Sequence, residues 1–221
     1  LGYLPASDSV IVDQHFTQRG RFPRLIRALS VTGQRTGWGV GEHAAFYVDL
    51  GQRSAEVLGI PGEANVTIVG RTSAAANHEQ ATPPFLGDGY TVSVLGTGDT
   101  YSLPDASNPH GLSAHSEPTE VYPPFSAYYE EPPVFTDAFG NIVLSERITE
   151  YFADGTAQAS GARVDSIAFR VNEQGDAKGF RVRFTSDDKS LVAWNEDLGY
   201  SLFDARVGFA NITAKFSGLE P

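Results

Sequence analysis

Two short strings near the start of the chain hold the side chains best suited to chemistry: Asp13-Gln14-His15-Phe16, followed by Arg19-Gly20-Arg21, and further on Gly39-Val40-Gly41-Glu42. A histidine can take the proton of a nucleophile, and a carboxylate beside it fixes its tautomer and stabilises the imidazolium that forms. A guanidinium fork holds a carboxylate through two parallel hydrogen bonds. His15 and Glu42 as base and orienter, beside Arg19 and Arg21, therefore suit a hydrolase that attacks a carbonyl and grips a charged substrate. Such a base is incomplete alone, because it activates a nucleophile and rarely attacks carbonyls unaided.

The elements that must position these groups are legible around them. Ser9-Val10-Ile11-Val12 is a short continuous apolar run, expected to be a strand buried on both faces. It would deliver Asp13, Gln14 and His15 at its carboxyl end, where open α/β sheets put their sites. Leu25, Ile26 and Leu29 follow at helical spacing, with Pro23 tolerable in the first turn and Gly33 as the stop. Trp38 to Val48 reads as one strand with a glycine-rich entry, Phe46 and Val48 sharing a face. Gly39 and Gly41 would let its backbone pass close to another element.

Asp-Gln-His-Phe-x-x-Arg-x-Arg followed by Gly-x-Gly-Glu resembles cyanophycinase and the wider peptidase family around it, over roughly the first hundred residues. Multi-residue matches of this kind are more specific than a lone motif. The resemblance implies a Ser-His-Glu set cutting after β-linked aspartyl residues, with His15 and Glu42 as its last two members. It implies substrate contacts from Asp13, Gln14, Arg19, Arg21 and His43, the substrate being a β-aspartyl-arginine polymer that offers both carboxylates and guanidinium groups. The family's serine turn, rich in small residues, lies upstream of the Asp-Gln-His-Phe string. A companion N-terminal polypeptide is thus expected to bring the nucleophile and the oxyanion donors. Where the family carries a small acid or amide and then threonine after the glutamate, this chain has His43 and Ala44, a change that alters the pocket.

The expected fold class is α/β, the C-terminal part of a cyanophycinase-like, class I glutamine-amidotransferase-like sheet, followed by a mostly antiparallel β-domain, the whole being strand-rich. Residues 1–103 form the hydrolase part, 104–134 a connector rich in proline and aromatic residues, and 135–221 the β-domain. Ala55–Gly59, Asn65–Val69 and Tyr90–Leu95 read as strands, with Pro61-Gly62 as a turn signal and residues 71–89 as a loop insertion. In the last segment Ile167, Phe169 and Val171 share one face, and Phe180, Val182 and Phe184 another, which predicts an antiparallel unit whose core also takes Trp194.

Net charge is −11, spread unevenly: residues 1–110 carry −3 and residues 111–221 carry −8. Such a surface repels phosphate backbones, so nucleic acid is not an expected partner. The absence of Cys excludes disulfides, Cys-ligated zinc and a cysteine nucleophile within the sequence. No apolar run approaches the roughly 20 residues of a membrane-spanning helix. Leu1 and the lack of any Met point to a processed chain or part of a longer product. With the acidic composition, that leans toward an extracellular or periplasmic protein. No cofactor or metal is expected: His110, His115 and Glu117 share no helix face.

Two alternatives stay open at this level. Gly70-Arg71-Thr72-Ser73-Ala74-Ala75-Ala76 has the composition of a serine turn, with Ser73 as the nucleophile, but it follows Glu42 instead of preceding His15. The other is a non-catalytic assembly protein on the same scaffold, an oligomer whose subunits join by β-strand pairing.

Overall fold

Strand β1 (Ile11–Gln14) and strand β2 (Thr36–Val40) pair in parallel, Ile11 opposite Gly37 and Gln14 opposite Val40. Parallel neighbours need a crossover, supplied here by helix α1 (Phe22–Thr32). The helix forms where the spacing predicts. Pro23 sits in the first turn, and Phe22, Leu25, Ile26 and Leu29 bury one face. Gly33 ends it at φ 73, its amide donating to the Leu29 carbonyl at 3.1 Å.

This is a computed structural model. It describes residues 10–71, 87–105, 107, 111–114, 120–122, 134–135, 163–171, 176–185, 191–195 and 199–215, with backbone pairing alone from residue 120 onward. The chain is strand-rich overall, as expected, with little helix, in two mostly antiparallel sheets.

The larger sheet continues from β2 through β5 (Asn65–Arg71) and β6 (Gly87–Gly96), both antiparallel, to β14 (Gly199–Lys215), β12 (Asp176–Thr185), β11 (Arg163–Val171) and β10 (Val134–Phe135). β13 (Leu191–Asn195) pairs with β14 and with β9 (Glu120–Tyr122). The antiparallel tail is thus present as strands, while the side-chain core expected of Ile167, Phe169, Phe180, Val182, Phe184 and Trp194 lies outside the described residues. Val207 of β14 lies opposite Tyr90 of β6, so one sheet runs across segments that the sequence assigns to separate units.

Trp38 to Val48 is two strands, not one. β2 ends at Val40, and β3 (Ala44–Asp49) belongs to the second sheet, ordered β3, β4 (Ser54–Gly59), β7 (Thr100–Ser102), β8 (Leu112–Ala114). The break falls at His43, whose φ of 61 no extended strand accommodates.

β2 is buried on both faces, and its alternation explains the layers. A Cβ at Gly37 would meet Leu25 of α1 and one at Gly39 would meet the Phe16 ring, so that face is roofed by the helix and its entry turn. Trp38, facing the other way, packs edge-on against Phe46 (centroids 5.0 Å apart) and Tyr101 (6.1 Å) of the small sheet. Val57, Val66, Ile68, Leu95 and Leu103 complete this core. β1, read from its apolar run as a strand that expects sheet neighbours on both sides, leaves Val12 43% exposed. Among the described residues β1 is the outermost strand of its sheet, with Val12 opposite Trp38 in register.

Behind α1, Tyr90 is buried beside Ser30 and Arg71. Burial raises its pKa above the ordinary tyrosine value, against smaller lowering effects of the neighbouring Ser30 hydroxyl and the Arg71 charge. A raised pKa means that the fold favours the protonated phenol. That stabilisation is whole below the ordinary tyrosine range and is lost as pH rises through the raised value. Urea midpoints should therefore fall at strongly alkaline pH, and Tyr90→Phe should flatten that part of the fall. An equally steep fall in the variant would assign it to other groups. Among the described residues no helix is long and apolar enough to cross a membrane.

Candidate active site

His15 and Glu42 stand just past the carboxyl ends of the parallel pair β1 and β2. Nδ1 of His15 lies 2.9 Å from Oε1 of Glu42, although the residues are 27 positions apart. Both side chains remain open, 47% and 41% exposed. An exposed pair of this kind contributes about 0–1 kcal/mol, too little to fix its own geometry. Backbone does that work. The Phe16 amide donates to the Val40 carbonyl at 3.1 Å and the Gly41 amide to the Asn65 carbonyl at 2.9 Å, tying each turn to the sheet. Gly41 has no room for a side chain, since a Cβ would stand 2.9 Å from Asn65 Oδ1.

His15 itself has a φ of 49, a left-handed conformation that costs a non-glycine residue about 1–3 kcal/mol. Strain of this size persists where surrounding contacts over-determine it, and such positions cluster at functional sites.

Gln18, which carries no periodic or motif signal, joins the two turns. Its Oε1 accepts the Glu42 amide at 3.1 Å and the Thr17 hydroxyl at 3.1 Å, while Thr17 also reaches Asn65 Oδ1 at 3.4 Å. Gln18→Ala should loosen the His15–Glu42 contact at a stability cost of about 0.5–1.5 kcal/mol. Ring ¹⁵N shifts of His15 should move toward tautomer averaging. Shifts identical to those of the parent chain would show that Gln18 positions nothing.

Asp13 and Arg21, both expected at the substrate, meet each other. Arg21 Nη1 donates to Asp13 Oδ1 at 3.0 Å and to the Gln14 carbonyl at 2.5 Å. Arg24, missed in the sequence, donates Nε to Asp13 Oδ2 at 2.9 Å and Nη2 to Asp13 Oδ1. The Gln14 amide adds a bond to Oδ1 at 2.9 Å. The Asp13 side chain is only 10% exposed. It offsets two cations at the start of α1, where the helix dipole alone would disfavour them and no acidic residue occupies the first turn. A basic residue three positions after Arg21, on the same helix end, was the available signal for Arg24.

Gln14, Arg19 and His43 are exposed around the pair. Arg19 lies in the turn between β1 and α1. His43 follows Glu42, and its carbonyl accepts the Ile60 amide at 3.3 Å. Ser73, His110, His115 and Glu117 lie outside the described residues. No group of three or more metal-ligating side chains occurs among the described residues.

Over 107 residues the chain is 37% identical to a cyanophycinase from Geminocystis herdmanii (strain PCC 6308). The chain is cyanophycinase-like over that stretch. The match covers 46% of this chain and 36% of the relative, so the chain spans about a third of the length of the protein it matches. No family model matches the chain, and no solved structure matches it.

Proposed function

We propose that this chain carries the base and its orienting acid for a cyanophycinase-like serine hydrolase cutting peptide or isopeptide bonds at aspartyl residues. The observation that carries the reading is the 2.9 Å contact of His15 Nδ1 with Glu42 at two parallel strand ends, in a chain similar to a cyanophycinase. With Nδ1 engaged, Nε2 is the atom that takes a proton from the nucleophile and returns it to the leaving amine. Glu42 holds the tautomer and offsets the charge on the imidazolium. A serine on a companion segment attacks the carbonyl, and the acyl-enzyme is then hydrolysed by water deprotonated at the same Nε2. Arg19, Gln14 and His43 are the exposed polar groups left to meet substrate, since Asp13 engages Arg21 and Arg24. The parent sheet would be of the glutamine-amidotransferase-like kind.

The test uses native material carrying whatever accompanies this chain. A fluorophosphonate probe should label one serine of the assembly, and β-aspartyl-arginine polymer should be hydrolysed. Failure of both would leave the second reading, a scaffold without turnover, which His43 and Ala44 after the glutamate favour. Labelling of Ser73 would place the nucleophile in this chain.

A further inference from the structure

Arg21 binds the backbone carbonyls of the two residues that flank His15. Its amide donates to the Phe16 carbonyl at 3.0 Å, and its Nη1 donates to the Gln14 carbonyl at 2.5 Å. The same Nη1 donates to Asp13 Oδ1 at 3.0 Å, and that oxygen accepts the Gln14 amide at 2.9 Å. The Asp13 carboxylate, the Gln14 backbone and the Arg21 guanidinium thus form a closed ring. Within it both the N–H and the C=O of Gln14 are engaged. The Asp13 and Arg21 side chains are 10% and 18% exposed, so water competes little for these bonds.

The ring acts on the next residue. A peptide unit is planar, so the Gln14 carbonyl and the His15 amide turn together. With the strand and the turn fixed, the direction of that carbonyl sets φ of His15, which stands at 49 in the left-handed region. On the far side of His15, the Phe16 amide is held by the Val40 carbonyl at 3.1 Å. Both peptide planes around the histidine are pinned, one by the sheet and the other by Arg21. A strained conformation persists only under such over-determination. Relaxing φ would swing the ring away from Glu42, now 2.9 Å from Nδ1.

Arg21 is also an uncommon residue for its place. It is the N-cap of α1, where Ser, Thr, Asp and Asn are preferred because their side chains accept the helix's first amides. An arginine accepts nothing, makes no cap bond here, and sets a cation against the helix dipole. Local rules broken in this way mark functional sites and are offset elsewhere. Asp13 supplies the offset, and the hold on Gln14 is the gain. Arg24 shares the Asp13 carboxylate through Nε and Nη2, but its described bonds stop there. Arg21 goes on to the peptide that carries His15.

We infer that Arg21, anchored on Asp13, is a positioning residue that locks the Gln14–His15 peptide and so aims the base. Its effect on turnover rests on the hydrolase reading, while its effect on the imidazole is read without any turnover. The work of Arg21 is on the chain's own backbone, one residue before the base, and not on the substrate.

The test is Arg21→Met, which keeps an apolar stem and removes every donor, made in the full chain and in its native assembly. In the full chain the ring ¹⁵N shifts of His15 should move toward tautomer averaging as the Glu42 contact loosens. In the assembly kcat should fall about 10–10²-fold with KM nearly unchanged, the loss expected of a misplaced base. Arg21→Lys replaces the planar fork with a point charge and should show the same changes at smaller size. It decides the matter should the methionine variant not fold. Arg24→Ala should leave the ring shifts close to those of the parent. Ring shifts equal to the parent's in the folded Arg21 variants, or a loss carried by KM, would assign Arg21 to substrate and overturn the inference. A change in Arg24→Ala as large as in Arg21→Met would overturn it too, by tracing the effect to charge at Asp13. Displaced shifts in the variants, with a parent assembly that hydrolyses nothing, would keep the positioning role and remove the hydrolase reading.

Discussion

Replacing His15 with alanine in the native assembly should lower the hydrolysis rate by about 10²–10⁴-fold while leaving the fold intact. The side chain is 47% exposed and its only described polar contact is Glu42, so its loss removes little packing. A base acting in the chemical step takes most of its effect from kcat, with KM nearly unchanged. Glu42→Gln should fall in the same direction by less, because the amide still accepts from Nδ1–H but no longer stabilises the imidazolium. Residues of this kind act as a unit, and the double variant should be hardly slower than His15→Ala alone. Additive losses, or a loss carried by KM, would show that the pair grips substrate and is not the proton-transfer pair.

What the sequence made legible was local. The helix could be read from Leu25, Ile26 and Leu29 with Pro23 and Gly33 at its ends, because a 3.6-residue period and its caps are written in adjacent positions. The His15–Glu42 contact could be expected because a block of neighbours resembled a known site, each residue carrying a distinct chemistry. Asp13 and Arg21 show the limit of that route. Their types suit a substrate carboxylate and guanidinium equally well as they suit each other, and only the position of Arg24 at the helix start shows the three engaged together.

Sheet assembly was least legible. Apolar alternation says which face of a strand is buried but not which strand lies beside it. Nothing in Tyr90–Leu95 announces a partner in β14, more than a hundred residues on. The division of Trp38–Val48 was hidden for a related reason. Both halves are apolar and strand-like, and the turn between them rests on His43, a residue without the glycine signature of a positive φ. The exposure of Val12 fits the same run, because a continuous apolar stretch is also what an outer strand shows when it awaits a sheet neighbour.

Gly39→Ala should be a damaging single-methyl change at the site. A Cβ there would stand 2.2 to 2.5 Å from three atoms of the Phe16 ring. That ring is fully buried and meets Phe22 edge-on at 6.4 Å, so it has no flexible end to swing aside. Either the ring moves or β2 does, and overpacking of this kind costs about 1–3 kcal/mol. Position makes the cost functional as well. Phe16 follows His15 and anchors its turn through the bond to Val40, so a displaced ring carries the strained histidine with it. The denaturant midpoint should drop and the His15 ring shifts should lose the signature of Glu42 contact. Gly33→Ala is the matched control: no atom lies within 4 Å of its Cβ, and it carries only the strain of φ 73 at the helix end. It should lose about 1 kcal/mol without touching His15. If Gly39→Ala behaves like Gly33→Ala, the Phe16 wedge is not what sets the histidine in place.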